Sequence, residues 1–213
     1  EWEYEMVSAD NLTQKIATLS ASNDLPDLFA YEAGAPLTTL IEADKVANVS
    51  EIVETLGVSD SLNEGAVELM KGLSGTDDLY DLPLGLNVEG FWYNKELFEK
   101  AGCEAPTTWK EFEEVLEKLD AAGIQPLSTG GSDKWLATRL INAYAVRTMG
   151  NDVLTKAAEG EIDYTDKGFV EAAQKLADWS EKGYFGEGVT TVDANTAGSM
   201  VMSGKAAIFY TGS

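Results

Sequence analysis

Apolar positions switch between helical and strand-like spacing along the first third of the chain. Leu12, Ile16 and Leu19 recur at helical spacing and predict a helix over residues 11–19. The runs at residues 2–7 and 28–31 predict short strands, and residues 50–73 predict two helical pieces separated near Gly57. This alternation of helices and strands predicts a layered α/β fold.

The pattern becomes mainly helical after two more predicted strands, which cover residues 79–84 and 88–93. In the second of these strands, Glu89, Phe91 and Tyr93 share one side of the extended chain. Helices are then predicted at residues 94–102, 109–123, 134–149, 168–182 and 194–203, with strands at residues 124–127 and 206–210.

The best-defined helix start lies at Thr108. The sequence Thr108-Trp109-Lys110-Glu111 is a capping box, in which the threonine and the glutamate satisfy each other's free backbone N–H groups. Trp109 and Phe112 then fall on the apolar stripe of this helix, and Trp179 falls on the stripe of a later one. These three aromatic residues are therefore predicted to be core residues.

Composition excludes several classes of function. The chain of 213 residues has a formal net charge of −22, which would repel a nucleic acid or an anionic membrane surface. It has no histidine and a single cysteine, Cys103, so a Cys–His nucleophile is excluded and we predict no intrachain disulfide, no metal site and no cofactor. No apolar run approaches the roughly 20 residues that a membrane helix needs, and no signal peptide opens the chain.

Four stretches resemble one family in sequence and in order. They are Leu25-Pro26-Asp27-Leu28-Phe29; Leu79-Tyr80-Asp81-Leu82-Pro83 followed by Tyr93-Asn94-Lys95-Glu96-Leu97-Phe98; Pro106-Thr107-Thr108-Trp109-Lys110-Glu111-Phe112; and Trp179 with Gly183-Tyr184-Phe185 and Ser203-Gly204-Lys205-Ala206-Ala207-Ile208. Together they resemble the family 1 extracellular solute-binding proteins of bacterial ABC importers, the carbohydrate-binding, maltose-binding-protein-like group.

The resemblance implies a two-lobed, periplasmic-binding-protein-like (type II) fold, which we expect to be incomplete at both ends of this chain. Residues 1–88 would form a partial first lobe that lacks its first strand and helix, and residues 89–213 would form most of the first pass through the second lobe. The implied protein is not an enzyme. It is a monomeric extracytoplasmic receptor, periplasmic or lipid-anchored, which binds a mono- or oligosaccharide and delivers it to ABC transporter permease subunits.

A sugar site needs an aromatic platform and a few fixed polar groups in a concave pocket. Tyr31 and Glu32 lie at the carboxyl end of the predicted strand at residues 28–31, where ligands of α/β sheets bind. The resemblance also places a stacking aromatic residue near Tyr31. A core tyrosine beside a surface glutamate is the alternative. Asn87 and Glu89 lie at the expected crossover between the lobes, where either one can face the cleft or be an ordinary turn residue.

The third candidate cluster is the polar segment Ser128 to Trp135, which runs into a helix. Ser132 and Asp133 can bind hydroxyl groups there, and Trp135 can either stack on a sugar or anchor the helix. We therefore predict that Tyr31, Glu32, Asn87, Glu89, Ser132, Asp133 and Trp135 bind the solute.

Two other functions stay open from the sequence. A secreted glycoside hydrolase needs two carboxylates roughly 5 to 10 Å apart, and no motif selects such a pair among the 37 acidic residues. A receptor of the same fold for an oligopeptide, a metal ion or a polyamine is the other alternative. The lack of histidine argues against transition metals, whereas Glu32, Glu89 and Asp133 could neutralise the amines of a polyamine.

Overall fold

The computed structural model describes residues 3–7, 9–85 and 87–213. The chain divides into two compact units, Glu1–Leu86 and Asn87–Ser213. The mixed helix and sheet content confirms the predicted α/β class. No helix among the described residues is long and apolar enough to cross a lipid bilayer.

The described part of the first unit is helical. Asn48 and Asn63 begin two of its helices by accepting hydrogen bonds from the backbone N–H groups of Glu51 and Ala66, and Gly75 ends the last helix in a left-handed conformation. The helices are α1 Ala9–Ser22, α2 Ala35–Glu42, α3 Val49–Thr55 and α4 Glu64–Ser74, with a 3₁₀ turn at Ser59–Ser61. The predicted pair of helical pieces on either side of Gly57 is confirmed.

Three strand predictions for this unit are wrong. Residues 3–7, 28–31 and 79–84 are not strands, and Trp2 lies outside the described residues. A strand needs a hydrogen-bonded neighbour, and no strand occurs among the described residues before Gly90. The apolar runs therefore remain irregular, with the side chains of Leu28 and Leu84 exposed to solvent.

Asp81 is a half-buried acid in the first unit, and both of its carboxylate oxygens are shielded from solvent. Neither of its carboxylate oxygens has a hydrogen-bond partner within the described ranges, and burial raises the pKa of its side chain. A raised pKa in the folded state means that ionisation opposes folding once the pH exceeds the ordinary carboxyl pKa of about 4.

We therefore expect Asp81→Asn to raise the free energy of unfolding at pH 7 by about 1 kcal/mol, and to lose this advantage at about pH 3, where both states are protonated. Urea unfolding at the two pH values measures the difference. Asp60→Asn is the control, because Asp60 is an exposed acid whose replacement removes the same charge. Equal stabilisation by both substitutions would show that general charge repulsion, and not burial, is the cause.

The second unit is built on a three-stranded sheet. Its strands are β1 Gly90–Tyr93, β2 Gln125–Ser128 and β3 Ala206–Thr211, in the order β1-β3-β2. β3 runs antiparallel to β1 and parallel to β2, and Phe91 pairs with Tyr210. The sequence predicted all three strands to within a residue or two. The residues of β2 and β3 are mostly buried, whereas Trp92 and Tyr93 of β1 are exposed.

Six helices of the second unit accompany this sheet. They are α5 Lys95–Lys100, α6 Trp109–Ala121, α7 Trp135–Met149, α8 Val153–Ala158, α9 Lys167–Glu181 and α10 Ala194–Met202, with a second 3₁₀ turn at Val189–Thr191. All except α8 lie where the sequence predicted them. The predicted capping box is present, since Thr108 accepts a hydrogen bond from the Glu111 N–H and the Glu111 carboxylate accepts one from the Thr108 N–H.

The core of the second unit lies between β3, α6 and α9. Leu116 and Leu119 are fully buried, and Trp179 and Phe112 are nearly so. Trp109 packs against this cluster, with its ring 5.3 Å from Phe112 and 6.0 Å from Trp179 between ring centroids. The prediction that these three aromatic residues belong to the core is confirmed.

Candidate functional site

Glu89 and Trp135, two of the predicted site residues, are joined by a residue that the sequence analysis missed. Arg139 lies one turn after Trp135 on α7, and its guanidinium carbon is 4.4 Å from the centroid of the Trp135 ring. The same guanidinium forms an ion pair with Glu89, with Nη1 2.5 Å from Oε1. Trp135 keeps 39% of its surface exposed, so part of its ring faces solvent.

Tyr210 completes this cluster from the neighbouring strand β3. Burial, and secondly the nearby Glu89 carboxylate, raises the pKa of the Tyr210 hydroxyl, while the positive charges of Arg139 and Arg147 lower it. The hydroxyl therefore stays protonated at neutral pH and remains a hydrogen-bond donor. We call Glu89, Trp135, Arg139 and Tyr210 the Arg139 network; it presents an aromatic ring, a carboxylate, a guanidinium and a hydroxyl together.

A groove of about 840 Å³ adjoins the Arg139 network within the second unit. Glu89, Phe91, Trp109, Arg139, Arg147 and Tyr210 contribute to its lining. The predicted alternation in β1 is confirmed on this side, because Tyr93 also lines the groove together with Glu89 and Phe91. The aromatic rings pack closely, with 4.8 Å between the centroids of Phe91 and Tyr210.

Ser132 and Asp133 hold two loops together. We call residues 129–134 the glycine loop. The Ser132 hydroxyl donates a hydrogen bond of 3.0 Å to the Val192 carbonyl, and Asp133 Oδ2 accepts one of 2.6 Å from the Ala194 N–H at the start of α10. The structure thus gives both side chains partners inside the protein, and their predicted role in solute binding stays a prediction.

The two glycines of this loop are required by close packing. A Cβ atom on Gly131 would lie 2.4 Å from the Val189 carbonyl oxygen, and one on Gly130 would lie 2.9 Å from the Ala194 backbone nitrogen. Side chains at these positions would therefore separate the glycine loop from the segment that precedes α10. The two glycines thus allow close contact between two backbone segments.

Asn87 precedes β1 and lies two residues before Glu89 in the sequence. It is exposed, and its side chain lies close to Gly212, where an added Cβ would be 3.5 Å from Asn87 Cβ. The backbone nearby is tied together, since the Ser213 N–H donates to the Val88 carbonyl and the Val88 N–H donates to the Ser213 hydroxyl. Asn87 is thus an exposed amide at a fixed place on the second unit.

Tyr31 and Glu32 belong to the first unit. Tyr31 is half-buried and packs edge-on against Phe29, with 5.8 Å between ring centroids, while Glu32 is exposed. Burial, and secondly the charge of Glu32, raises the pKa of the Tyr31 hydroxyl. The predicted strand before them is absent, so they lie in an irregular segment and not at a strand end.

Sequence reasoning had a usable signal for Arg139 but a weak one for Tyr210. An arginine four residues after a tryptophan on a predicted helix is placed to stack on that ring. Tyr210 reaches the site only through the pairing of β3 with β1, which joins residues more than a hundred positions apart. Among the described residues, no group of three or more acidic or cysteine side chains is placed to hold a metal ion.

Comparison with known proteins gives consistent matches over nearly the whole chain. The bacterial extracellular solute-binding protein family matches residues 1–213. An uncharacterised ABC transporter extracellular-binding protein of Pyrococcus horikoshii is 25% identical over 221 residues, covering 99% of this chain and 49% of that protein.

Solved structures of sugar-binding proteins superpose on the chain. A chitin oligosaccharide binding protein gives a TM-score of 0.87 at 26% identity, covering 98% of this chain and 52% of that one. A sugar transporter protein from Arthrobacter chlorophenolicus A6 with bound laminaribiose gives 0.77 at 26% identity, covering 94% and 50%. The chain spans about half the length of these proteins.

Proposed function

Because this chain belongs to the bacterial extracellular solute-binding protein family, we propose that the full-length protein is an extracytoplasmic receptor that binds a carbohydrate and delivers it to an ABC importer. The similarity to a chitin oligosaccharide binding protein and to a sugar transporter protein with bound laminaribiose supports a sugar as the solute. The similarity to an ABC transporter extracellular-binding protein supports the transport role.

The observation that carries the proposal is the Arg139 network. A pyranose ring has apolar C–H faces and a rim of hydroxyls, so it is recognised by an aromatic ring next to charged or polar hydrogen-bonding groups. The half-exposed ring of Trp135 supplies the aromatic surface, and Glu89 and Tyr210 supply the hydrogen-bonding groups. We propose that Tyr31, Glu32 and Asn87 contribute further contacts to the sugar.

The polyamine alternative loses support from these contacts. A polyamine site needs carboxylates that are free to neutralise amines, but Glu89 is already paired with Arg139 and Asp133 accepts the Ala194 N–H. The hydrolase alternative needs two carboxylates across a cleft, and Glu89, the acid on the lining of the groove, is paired with Arg139. We therefore infer a binding protein without enzymatic activity.

We also propose the organisation of the receptor. Residues 1–88 are assigned to one lobe and residues 89–213 to the other. The protein would act as a monomer, either free in the periplasm or attached to the cell surface by a lipid anchor, and would present its sugar to the permease subunits.

The proposal is tested by a thermal-shift screen of the full-length protein against glucose, galactose, xylobiose, laminaribiose, chitobiose and raffinose, with spermidine as the non-sugar probe. A ligand that binds only the folded state at a hundred times its Kd adds about 2.7 kcal/mol of stability. We expect a rise in Tm with at least one sugar, none with spermidine, and no release of nitrophenol from nitrophenyl glycosides. A rise with spermidine alone would reject the carbohydrate function.

A further inference from the structure

Arg139 is one of only two arginines in the chain, and both lie on α7. It is also the residue that contacts two candidate site residues at once, with its guanidinium over the Trp135 ring and in an ion pair with Glu89. One cation therefore joins an aromatic ring on α7 to a carboxylate at the start of β1.

Only an arginine can make both contacts well. The guanidinium is planar, so its face lies against an aromatic ring while its edge donates hydrogen bonds to a carboxylate. A lysine ammonium is a point charge, and it would keep the attraction to Glu89 without the planar contact with Trp135. Arg139→Lys should therefore have a smaller effect than a substitution that removes the positive charge altogether.

The ion pair also sets the charge of the surface beside Trp135. The side chains of Glu89 and Arg139 are each 38% exposed, so their charges reach solvent, but together they cancel. The rest of the chain carries a strong negative charge, which repels anions. The Arg139–Glu89 pair therefore carries no net charge, and the exposed Arg147 is the other cation among the described residues that line the groove.

We propose that Arg139 is a positioning residue of the sugar site, which fixes the Trp135 ring and the Glu89 carboxylate, and that Glu89 neutralises the charge that Arg139 would otherwise offer to a uronic acid. This inference rests on the proposed carbohydrate function. The sugar stacks on the part of the Trp135 ring that Arg139 does not cover, and Glu89 accepts hydrogen bonds from its hydroxyls.

Titration calorimetry of the full-length protein tests the positioning role, with the neutral sugars named above as probes. Arg139→Met should weaken binding of the sugar that wild type binds by about tenfold, and Arg139→Lys by about threefold. Lys175→Met is the matched control, because Lys175 forms an ion pair with Glu113 of the same 2.5 Å length and similar exposure between α9 and α6. The control should bind sugar like wild type.

Glu89→Gln tests the selectivity, with trigalacturonic acid as the anionic probe. This substitution frees the charge of Arg139, so we expect weaker binding of the neutral sugar and about tenfold tighter binding of trigalacturonic acid. If Arg139 had a purely structural role, Glu89→Gln would not change the ratio of the affinities for the neutral sugar and for trigalacturonic acid. If Arg139→Met does not fold, Arg139→Lys and Glu89→Gln decide the question.

Two results would overturn the inference: unchanged sugar affinity in the Arg139 variants, or Glu89→Gln protein that binds trigalacturonic acid no more tightly than wild type. In both cases the carbohydrate function itself would stand, because the wild-type protein still binds a sugar. Wild-type protein that binds none of the sugars would reject the carbohydrate function and the inference with it.

Discussion

Replacement of Trp135 by alanine is expected to weaken sugar binding about fivefold to 150-fold and to leave the Tm of the unliganded protein almost unchanged. The expected loss corresponds to the burial of a large apolar side chain, about 1–3 kcal/mol. The stability should persist because the ring is half-exposed and lies in the first turn of α7, where it contributes little to the core. Titration calorimetry beside thermal unfolding of each variant without sugar separates the two effects.

Trp92→Ala is the matched control for this substitution. Trp92 is another half-exposed tryptophan of the second unit, with 47% of its surface exposed, and its Nε1–H donates to the Thr211 carbonyl. It is outside the Arg139 network, so its replacement should leave sugar affinity unchanged. Trp135→Ala protein with full affinity but a much lower Tm would show that Trp135 anchors the helix and does not bind sugar.

Gly131→Ala is expected to lower the free energy of unfolding by about 1–3 kcal/mol. The added Cβ would lie 2.4 Å from the Val189 carbonyl oxygen and 2.9 Å from its carbon, and both are backbone atoms that cannot rotate away. The hydrogen bonds from Ser132 and to Asp133 hold the two segments at this distance, so relief of the clash would also weaken these bonds. Urea unfolding of the variant measures the loss.

Gly198→Ala provides the comparison for the glycine loop. Gly198 lies inside α10, and its added Cβ would meet the Phe209 ring at an ordinary contact distance of 3.6 Å. Alanine is favoured over glycine in a helix by roughly 0.5–1 kcal/mol, so this variant should be as stable as wild type or more stable. If the two alanine variants had the same stability, the close approach of the loop to Val189 would not matter.

The second unit could be predicted from the sequence because its signals are local. Each element is predicted by residues that lie in it or next to it. The examples are the Thr108 capping box, the apolar stripe through Leu116 and Leu119 and the run at residues 206–210. Their core follows from the same residues, since apolar stripes of a helix pack against an apolar strand.

The first unit could not be predicted in the same way. The run at Leu28 to Tyr31 has strand-forming residues, but strand formation depends on a neighbouring strand that the local sequence does not specify. Helices α1, α3 and α4 were predicted, because a helix satisfies its backbone hydrogen bonds within itself.

The candidate site shows the same limit. Glu89 and Trp135 were predicted from alternation and from a helix start, whereas their connection through Arg139 depends on the approach of α7 to β1. The roles of Ser132 and Asp133 depend on contacts with Val192 and Ala194, about sixty residues further along the chain. Spacing along the sequence identifies such side chains but does not reveal their partners.

Titration calorimetry of the full-length protein with purified sugars tests the central claim most directly. We predict saturable binding of one neutral mono- or oligosaccharide per protein molecule, with a negative heat-capacity change from burial of the sugar's apolar face, and a weaker affinity in Trp135→Ala protein. Absence of binding heat for every sugar, together with saturable binding of spermidine, would contradict the account.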